Sequence, residues 1–257
     1  MTARNLKYDG SFDGFLSAVF YVFEQRLNQV SIQKASVVQN GLFAEVEVVV
    51  TEDVKANRVW KGLTSRLSAK GSFQLYHAFL SEQKGVENEL LSFIRHAFKV
   101  SINADKDYGH PSVLKMAQLA KKVGREKHRM EAFVRFRLTN DGVYFASIAP
   151  DFNVLPLILK HFKRRYADQK WVIYDIKRNY GLFYDLNSVA LMTMEFPKNF
   201  DGTKTESHFF AEQELEFQTL WQDYFKSTTI ESRKNMRLHI KHVPKRYWKY
   251  LSEKQPF

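Results

Sequence analysis

Three runs in the middle of the chain predict an α+β fold: an antiparallel sheet of two hairpins with an intervening helix (β-β-α-β-β), flanked by N-terminal and C-terminal helical regions. AFVRFRLTNDGVYFASIA turns at Asn140-Asp141-Gly142, residues that tolerate the backbone angles of a tight hairpin. VLPLILKHFKRRYA has helical spacing, with Asp151 or Asn153 as its cap and Pro156 tolerated in the first turn. WVIYDIKRNYGLFYD reads as a second hairpin turning near Asn179-Tyr180-Gly181, and SVALMTMEF as one more strand.

The flanking elements follow from the same periodicities. After Ser11, a capping residue, Phe12, Phe15, Val19, Phe23 and Leu27 recur at helical spacing, with Asp13 in the first turn. VSIQKASVV and LFAEVEVVV read as two strands joined by Asn40-Gly41, a strong hairpin dipeptide. Helices are expected over 53–68, 72–83, 86–99 and 112–130. Near the C-terminus, Thr228 and Glu231 have capping-box spacing, and Pro244 is placed to open a last helix, PKRYWKYL. No Pro/Gly/Ser linker or repeat divides the chain. It reads as a single α+β domain over 1–257, with N-terminal elements over 1–130, the core over 131–196 and a helical region over 205–257.

Composition narrows the chemistry. The 257 residues include no Cys, which excludes disulfides, thiolate zinc sites, a Cys nucleophile and cysteine-held iron–sulfur clusters. At 44% hydrophobic and 26% charged the chain is globular. Its apolar runs are far shorter than the ~20 residues of a membrane span. MTARNLKYDGSF has no signal-peptide core, so a cytoplasmic protein is expected. There is no phosphate-binding Gly-rich loop, GxGxxG, HExxH or nucleophile elbow, and no cofactor or metal is expected. His239 and His242 could share a metal, but a lone His-x-x-His on a basic helix reads first as surface or packing.

A net charge of +11 is a statement about partners. The cations cluster in three places, residues 121–137, the KHFKRR run and the C-terminal region, interleaved with aromatic residues. Lys121, Arg125 and Arg129 are spaced to form one helical stripe roughly 12 Å long. Arg135 and Arg137 alternate with Phe136, on the same sheet face as Phe133. KHFKRR contributes Lys163, Arg164 and Arg165, and the C-terminal region adds Arg233, Lys245, Arg246 and Trp248. Cations supply counterion-releasing phosphate contacts and aromatic faces stack bases, so DNA is the expected partner. The bland alternative is a solvated surface, with Glu126 pairing Lys122 or Arg129. Without a lipid-facing stripe, a membrane partner is not expected.

Candidate acid/base residues are Asp175, His161, Glu126 and Asp151, with Arg178 to steady developing charge. Asp175 interrupts the apolar strand WVIYDI, on the face of Trp171 and Ile173, and needs a partner such as an Arg from the neighbouring strand. His161 shares a helix face with Arg164 and Arg165. Glu126 and His128, two apart on a helix, face different ways and cannot cooperate.

Several blocks, in order, resemble a known family: YDGSFDGFLSAVF (8–20), RVWKGL (58–63), AFLSE (78–82), VGREKHRMEAFVRF (123–136), APDFNVLPLILKHFKRR (149–165), WVIYDIKRNYGLFYD (171–185), LWQDYFKSTTIESRKN and PKRYWKYL. They resemble an uncharacterised "DNA metabolism protein" family whose members sit beside a radical-SAM protein assigned to DNA modification or repair. Related domains are fused to uracil-DNA glycosylase-like domains. One departure stands out: Pro150-Asp151-Phe152-Asn153 occupies the place of Pro-Asp-His-Asn in similar sequences. A mechanism requiring that His would fail here unless His161 or His128 substitutes. The resemblance implies a DNA-binding protein of a repair or modification system, presenting DNA to a radical-SAM partner; on the reading of the residues themselves, Phe133, Tyr180 or Trp248 would stack an exposed base. The rival readings are an enzyme acting on a damaged base or phosphodiester, and a protein-interaction scaffold.

Overall fold

A computed structural model describes residues 4–37, 45–100, 103–196, 201–204, 209–230, 232 and 235–254. The chain divides into two compact units, Met1–Arg125 and Glu126–Phe257.

The first unit is built on a three-stranded sheet. β1 (Arg4–Tyr8) lies between β2 (Val30–Lys34) and β3 (Glu45–Val48), and both neighbours run parallel to it. The expected hairpin between the second and third strands therefore does not form, since they flank β1 on opposite sides. The Asn40-Gly41 dipeptide lies outside the described residues. β1 escapes prediction because its RNLKY segment is so short; Leu6 and Tyr8 nonetheless bury completely. α1 (Phe12–Glu24) connects β1 to β2 and starts where Ser11 accepts from the Gly14 amide at 2.9 Å, as its sequence predicts. α2 (Asp53–Thr64), α3 (Ala69–Phe79) and α4 (Val86–Lys99) match the expected helices. The core joins Phe15, Val19, Leu63, Leu75, Leu90 and Phe93. Inside it, Tyr8 donates to Glu87 at 3.1 Å. Burial and that carboxylate raise the phenol pKa. α5 (Pro111–Phe133) runs from the first unit into the second.

The second unit holds a five-stranded sheet in the order β4 (Arg137–Leu138), β5 (Tyr144–Ile148), β6 (Trp171–Asp175), β7 (Tyr180–Tyr184), β8 (Val189–Met192). Both hairpins form, the first turning at Gly142 as expected; the second turns over 176–179, with positive φ at Asn179, so the expected turn residues Tyr180 and Gly181 lie in β7. The sheet is nevertheless mixed rather than antiparallel, because β5 and β6 pair in parallel. α6 (Leu155–Arg165) occupies the connection and returns the chain to the end of the sheet where β5 began. Trp171, Ile173 and Asp175 share a face, with Trp171 near Phe162 of α6 at 6.3 Å between ring centroids. On the other face Phe145, Val172, Tyr174 and Phe210 pack together.

Two caps differ from expectation. Val154, not Asp151 or Asn153, precedes α6, with no side-chain cap bond. Thr228 ends α7 (Glu212–Ser227) rather than opening a helix. α8 (Met236–His242) is capped by Asn235, and Lys245–Tyr250 forms a 3-10 helix after Pro244. No helix among the described residues is long and apolar enough to cross a membrane.

Candidate functional site

Three of the four acid/base candidates, Glu126, Asp151 and Asp175, meet with Arg178 within the second unit, at the carboxyl end of the parallel pair β5/β6. That end of a βαβ connection is where open sheets bind ligands. The loop from Pro150 to Asn153 leaves β5 there, and the turn after β6 sits beside it. Glu126, 1% exposed, accepts from the Tyr247 hydroxyl at 2.5 Å, the Asp151 amide at 2.9 Å and Arg246 Nη2 at 3.0 Å. Arg129 Nη1 lies 3.6 Å from the same carboxylate. Asp151 faces Arg246 at 2.9 Å and Lys177 at 3.4 Å.

Asp175 is fully buried and accepts from Arg178 Nη1 at 2.7 Å and the Lys177 amide at 2.9 Å. Its partner is thus in the turn three residues on, not on the neighbouring strand; the carboxylate closes an Asx turn and holds the guanidinium at once. Burial raises the Asp175 pKa, with Arg178 pulling the other way. Arg178 also donates to the carbonyls of Pro150 at 3.2 Å and Asp151 at 3.3 Å. Tyr180 donates to Asn153 at 2.5 Å. The loop is therefore held from three sides.

Two buried carboxylates thus position two arginines. Arg246 stacks on the Tyr247 ring at 4.6 Å, and its hydrogen bonds among the described residues all use Nη2. Its Nε–Nη1 edge makes none among them. Arg246 is 43% exposed by side chain and Lys177 50%. Burial alone would lower the Arg246 pKa, but the bond to Tyr247 and the Glu126 and Asp151 charges raise it, so it stays cationic. Burial and Glu126 raise the Tyr247 pKa, so it remains a donor.

His161 stands apart. It lies in the second half of α6, about 9 Å along the axis from the start of the helix. Its contact is Glu131 at 3.9 Å, beside the Lys127–Glu131 pair. α6 runs away from the cluster, so His161 has no part in it.

Several nucleic-acid candidates are already engaged. Arg135 pairs with Glu253 at 2.8 Å. Arg137 is 8% exposed, lies over Phe210 at 4.3 Å and donates to the carbonyls of Gly202 and Lys204. Burial lowers its pKa to about 10. Neither arginine forms the open sheet face expected of them: Phe133 ends α5, Arg135 precedes the strand, and only Arg137 is in it. The cavity they line measures about 30 Å³, room for one water and not a base. Lys163 donates to the Asn187 carbonyl at 2.8 Å. Arg164 and Arg165 are exposed at the far end of α6, and Arg165 lies 5.7 Å from the Tyr166 ring. Lys121 and Arg125 are exposed on α5. Lys245 is exposed near Trp248, whose indole donates to the Val243 carbonyl at 3.0 Å. Arg233 lies outside the described residues.

Of the stacking candidates, Phe133 packs on Tyr247 at 5.4 Å. No cluster of three or more metal-ligating side chains occurs among the described residues, His239 and His242 included. Two members of the cluster, Lys177 and Tyr247, are not among the candidate site residues the sequence offers. The Asp175-x-Lys177 spacing of an Asx turn was a usable signal for the first. Nothing local points from Tyr247 to a carboxylate 121 residues away.

The profile of DUF4130, a domain of unknown function, matches residues 84–253. The chain belongs to the DUF4130 family. The matched span includes every residue of the Glu126–Asp151–Arg246 cluster. A solved DHH domain, described as belonging to a family of ribosomal proteins, is similar at 11% identity over 71% of this chain and 73% of that one. Its TM-score is 0.28, too low to carry an argument. No curated protein matches the chain.

Proposed function

We propose that this DUF4130 protein binds DNA through phosphate contacts at the carboxyl end of β5/β6, in a repair or modification system where it presents DNA to a radical-SAM partner. One observation carries the binding step: Arg246, held by buried Glu126 and stacked on Tyr247, keeps its Nε–Nη1 edge unused among the described residues. A guanidinium edge fixed in this way matches a phosphate with two parallel hydrogen bonds. Lys177 stands beside Asp151 and adds a second exposed cation. The partner and the setting rest on the likeness to DNA metabolism proteins.

The test is fluorescence anisotropy of a labelled oligonucleotide across a salt series. Affinity should fall steeply with salt, by roughly one log unit of slope per phosphate contact. Arg246→Lys keeps the charge and loses the fork; it should weaken binding about tenfold. Salt-insensitive binding, or an unchanged Arg246→Lys variant, would refute the proposal. Co-elution with the radical-SAM protein, with and without DNA, tests the second half; association only without DNA would favour the scaffold reading.

The convergence of Glu126, Asp151, Asp175 and Arg178 favours a second reading, an enzyme acting on a damaged base or phosphodiester. Asp151 is its acid/base group, being the half-exposed member. Asp151→Asn should then abolish turnover of lesion-bearing oligonucleotides while binding persists; absence of turnover across base and backbone lesions rejects it.

A further inference from the structure

The first unit carries a cavity of about 670 Å³, within the ~300–1,000 Å³ typical of small-molecule sites. It lies between the start of α1 and the helices α2 and α3. Its aromatic lining is Phe12, Trp60, Phe73 and Tyr76. Phe12 meets Trp60 at 5.5 Å and Tyr76 at 5.1 Å, both edge-on, so neighbouring rings present faces in different directions. Phe73 is 68% exposed, an unusual position for so large an apolar side chain.

Two polar residues distinguish this cavity from an apolar crease. Asp13, in the first turn of α1, is the only formally charged residue of its lining among the described residues. Asn57 of α2 stands on the same rim. Neither side chain makes a hydrogen bond among the described residues; nor do the Trp60 indole N–H and the Tyr76 hydroxyl. Thr64 and Ser72, by contrast, are spent on helix carbonyls at 3.1 and 3.3 Å. Burial and the Asp13 charge raise the Tyr76 pKa, which places a neutral hydroxyl donor within the carboxylate's field.

We propose that this cavity is a binding site for a small organic cation with an aromatic body, its amine set toward Asp13 and its ring among Phe12, Trp60, Phe73 and Tyr76. Charge decides the class. A carboxylate attracts an ammonium, and aromatic faces, negative at their centres, attract it as well. An anion of the same shape meets repulsion from both. A neutral isostere keeps the apolar burial and loses the electrostatic part. The site uses none of the residues of the Glu126–Arg246 cluster, so it stands or falls separately from DNA binding.

Three matched probes test it on the full chain by calorimetry: phenethylamine, 2-phenylethanol and 3-phenylpropanoate. The amine should bind about tenfold more tightly than the alcohol, and the carboxylate more weakly than either. Asp13→Asn should cut the preference of amine over alcohol severalfold, leaving only the part the aromatic faces supply, with the alcohol's affinity unchanged. Phe73→Ala, at an exposed wall position, should weaken amine and alcohol alike. Equal binding of amine and alcohol, an unaltered preference in Asp13→Asn, or no binding of any probe would overturn the proposal.

Discussion

Removing the Glu126 carboxylate tests the whole architecture of the cluster. In Glu126→Ala two donors lose their acceptor: the Tyr247 hydroxyl, on a side chain 2% exposed, and the Asp151 amide. Each unmet buried donor costs about 1–3 kcal/mol. Arg246 is 43% exposed and rehydrates, so its lost ion pair adds little. The expected loss is about 3–5 kcal/mol. Glu126→Gln retains an acceptor for the Asp151 amide and the Tyr247 hydroxyl but turns an NH2 toward Arg246, and should cost about 1–2 kcal/mol. Guanidinium unfolding gives the totals. Hydrogen exchange at Asp151 localises them, because the chain's two units need not unfold together. Exchange at Asp151 should rise sharply in Glu126→Ala and modestly in Glu126→Gln. A cost below about 1 kcal/mol for Glu126→Ala, with Asp151 still protected, would refute the claim that this carboxylate organises the loop.

Other outcomes follow from the same contacts. Arg137→Ala should cost about 3 kcal/mol by unfolding midpoint, since it empties the space over Phe210, leaves the Lys204 carbonyl without its donor and leaves the Gly202 carbonyl to Ser147 alone. Lys177→Ala should lower the salt slope of DNA binding by about one contact while leaving thermal stability within about 0.5 kcal/mol, because its side chain is half exposed. Burial works against ionisation of Glu253, yet Arg135 holds its pKa below the ordinary value. The pair's contribution is therefore complete above the ordinary glutamate pKa and is lost as pH falls through the lowered one; Arg135→Ala should flatten that acid limb of the stability curve. Asp175 has the opposite sign. With its pKa raised in the fold, its charge costs stability as pH climbs from the ordinary aspartate value through the raised one, and Asp175→Asn should remove that slope in a pH series of melting temperatures.

Local signals in the sequence identify most helices and both hairpins of the second unit, because capping, periodicity and turn residues act over a few positions. Ser11 and Gly142 are examples: each sets its element without help from afar. Pairing partners are a different matter. The strands around α6 were legible, but their direction depends on the connection. A strand, a helix and a second strand return the chain to its starting end, so β5 and β6 must run in parallel. The same limit explains the first sheet. Asn40-Gly41 suggests a hairpin, yet both flanking strands find β1, a short segment with little pattern of its own. Charge runs proved the least legible. Reading Arg135 or Arg246 along the chain reveals the cation but not Glu253 or Glu126, each more than 100 residues distant. Asp175 was singled out correctly as a carboxylate needing a counter-charge, because an acid inside an apolar strand demands one wherever it lies.

The separation between Glu126 and its partners, 120 residues to Arg246 and 121 to Tyr247, has a consequence for synthesis. As the chain leaves the ribosome, α5 emerges with a carboxylate that has only water and Arg129 beside it, and the sheet after it can pair while that acid stays hydrated. The pocketing of Glu126 waits for Arg246 and Tyr247 to emerge. Until then the strands and most of the helices are in place without the fixed arginine, so this corner of the molecule is assembled after the sheet it stands beside.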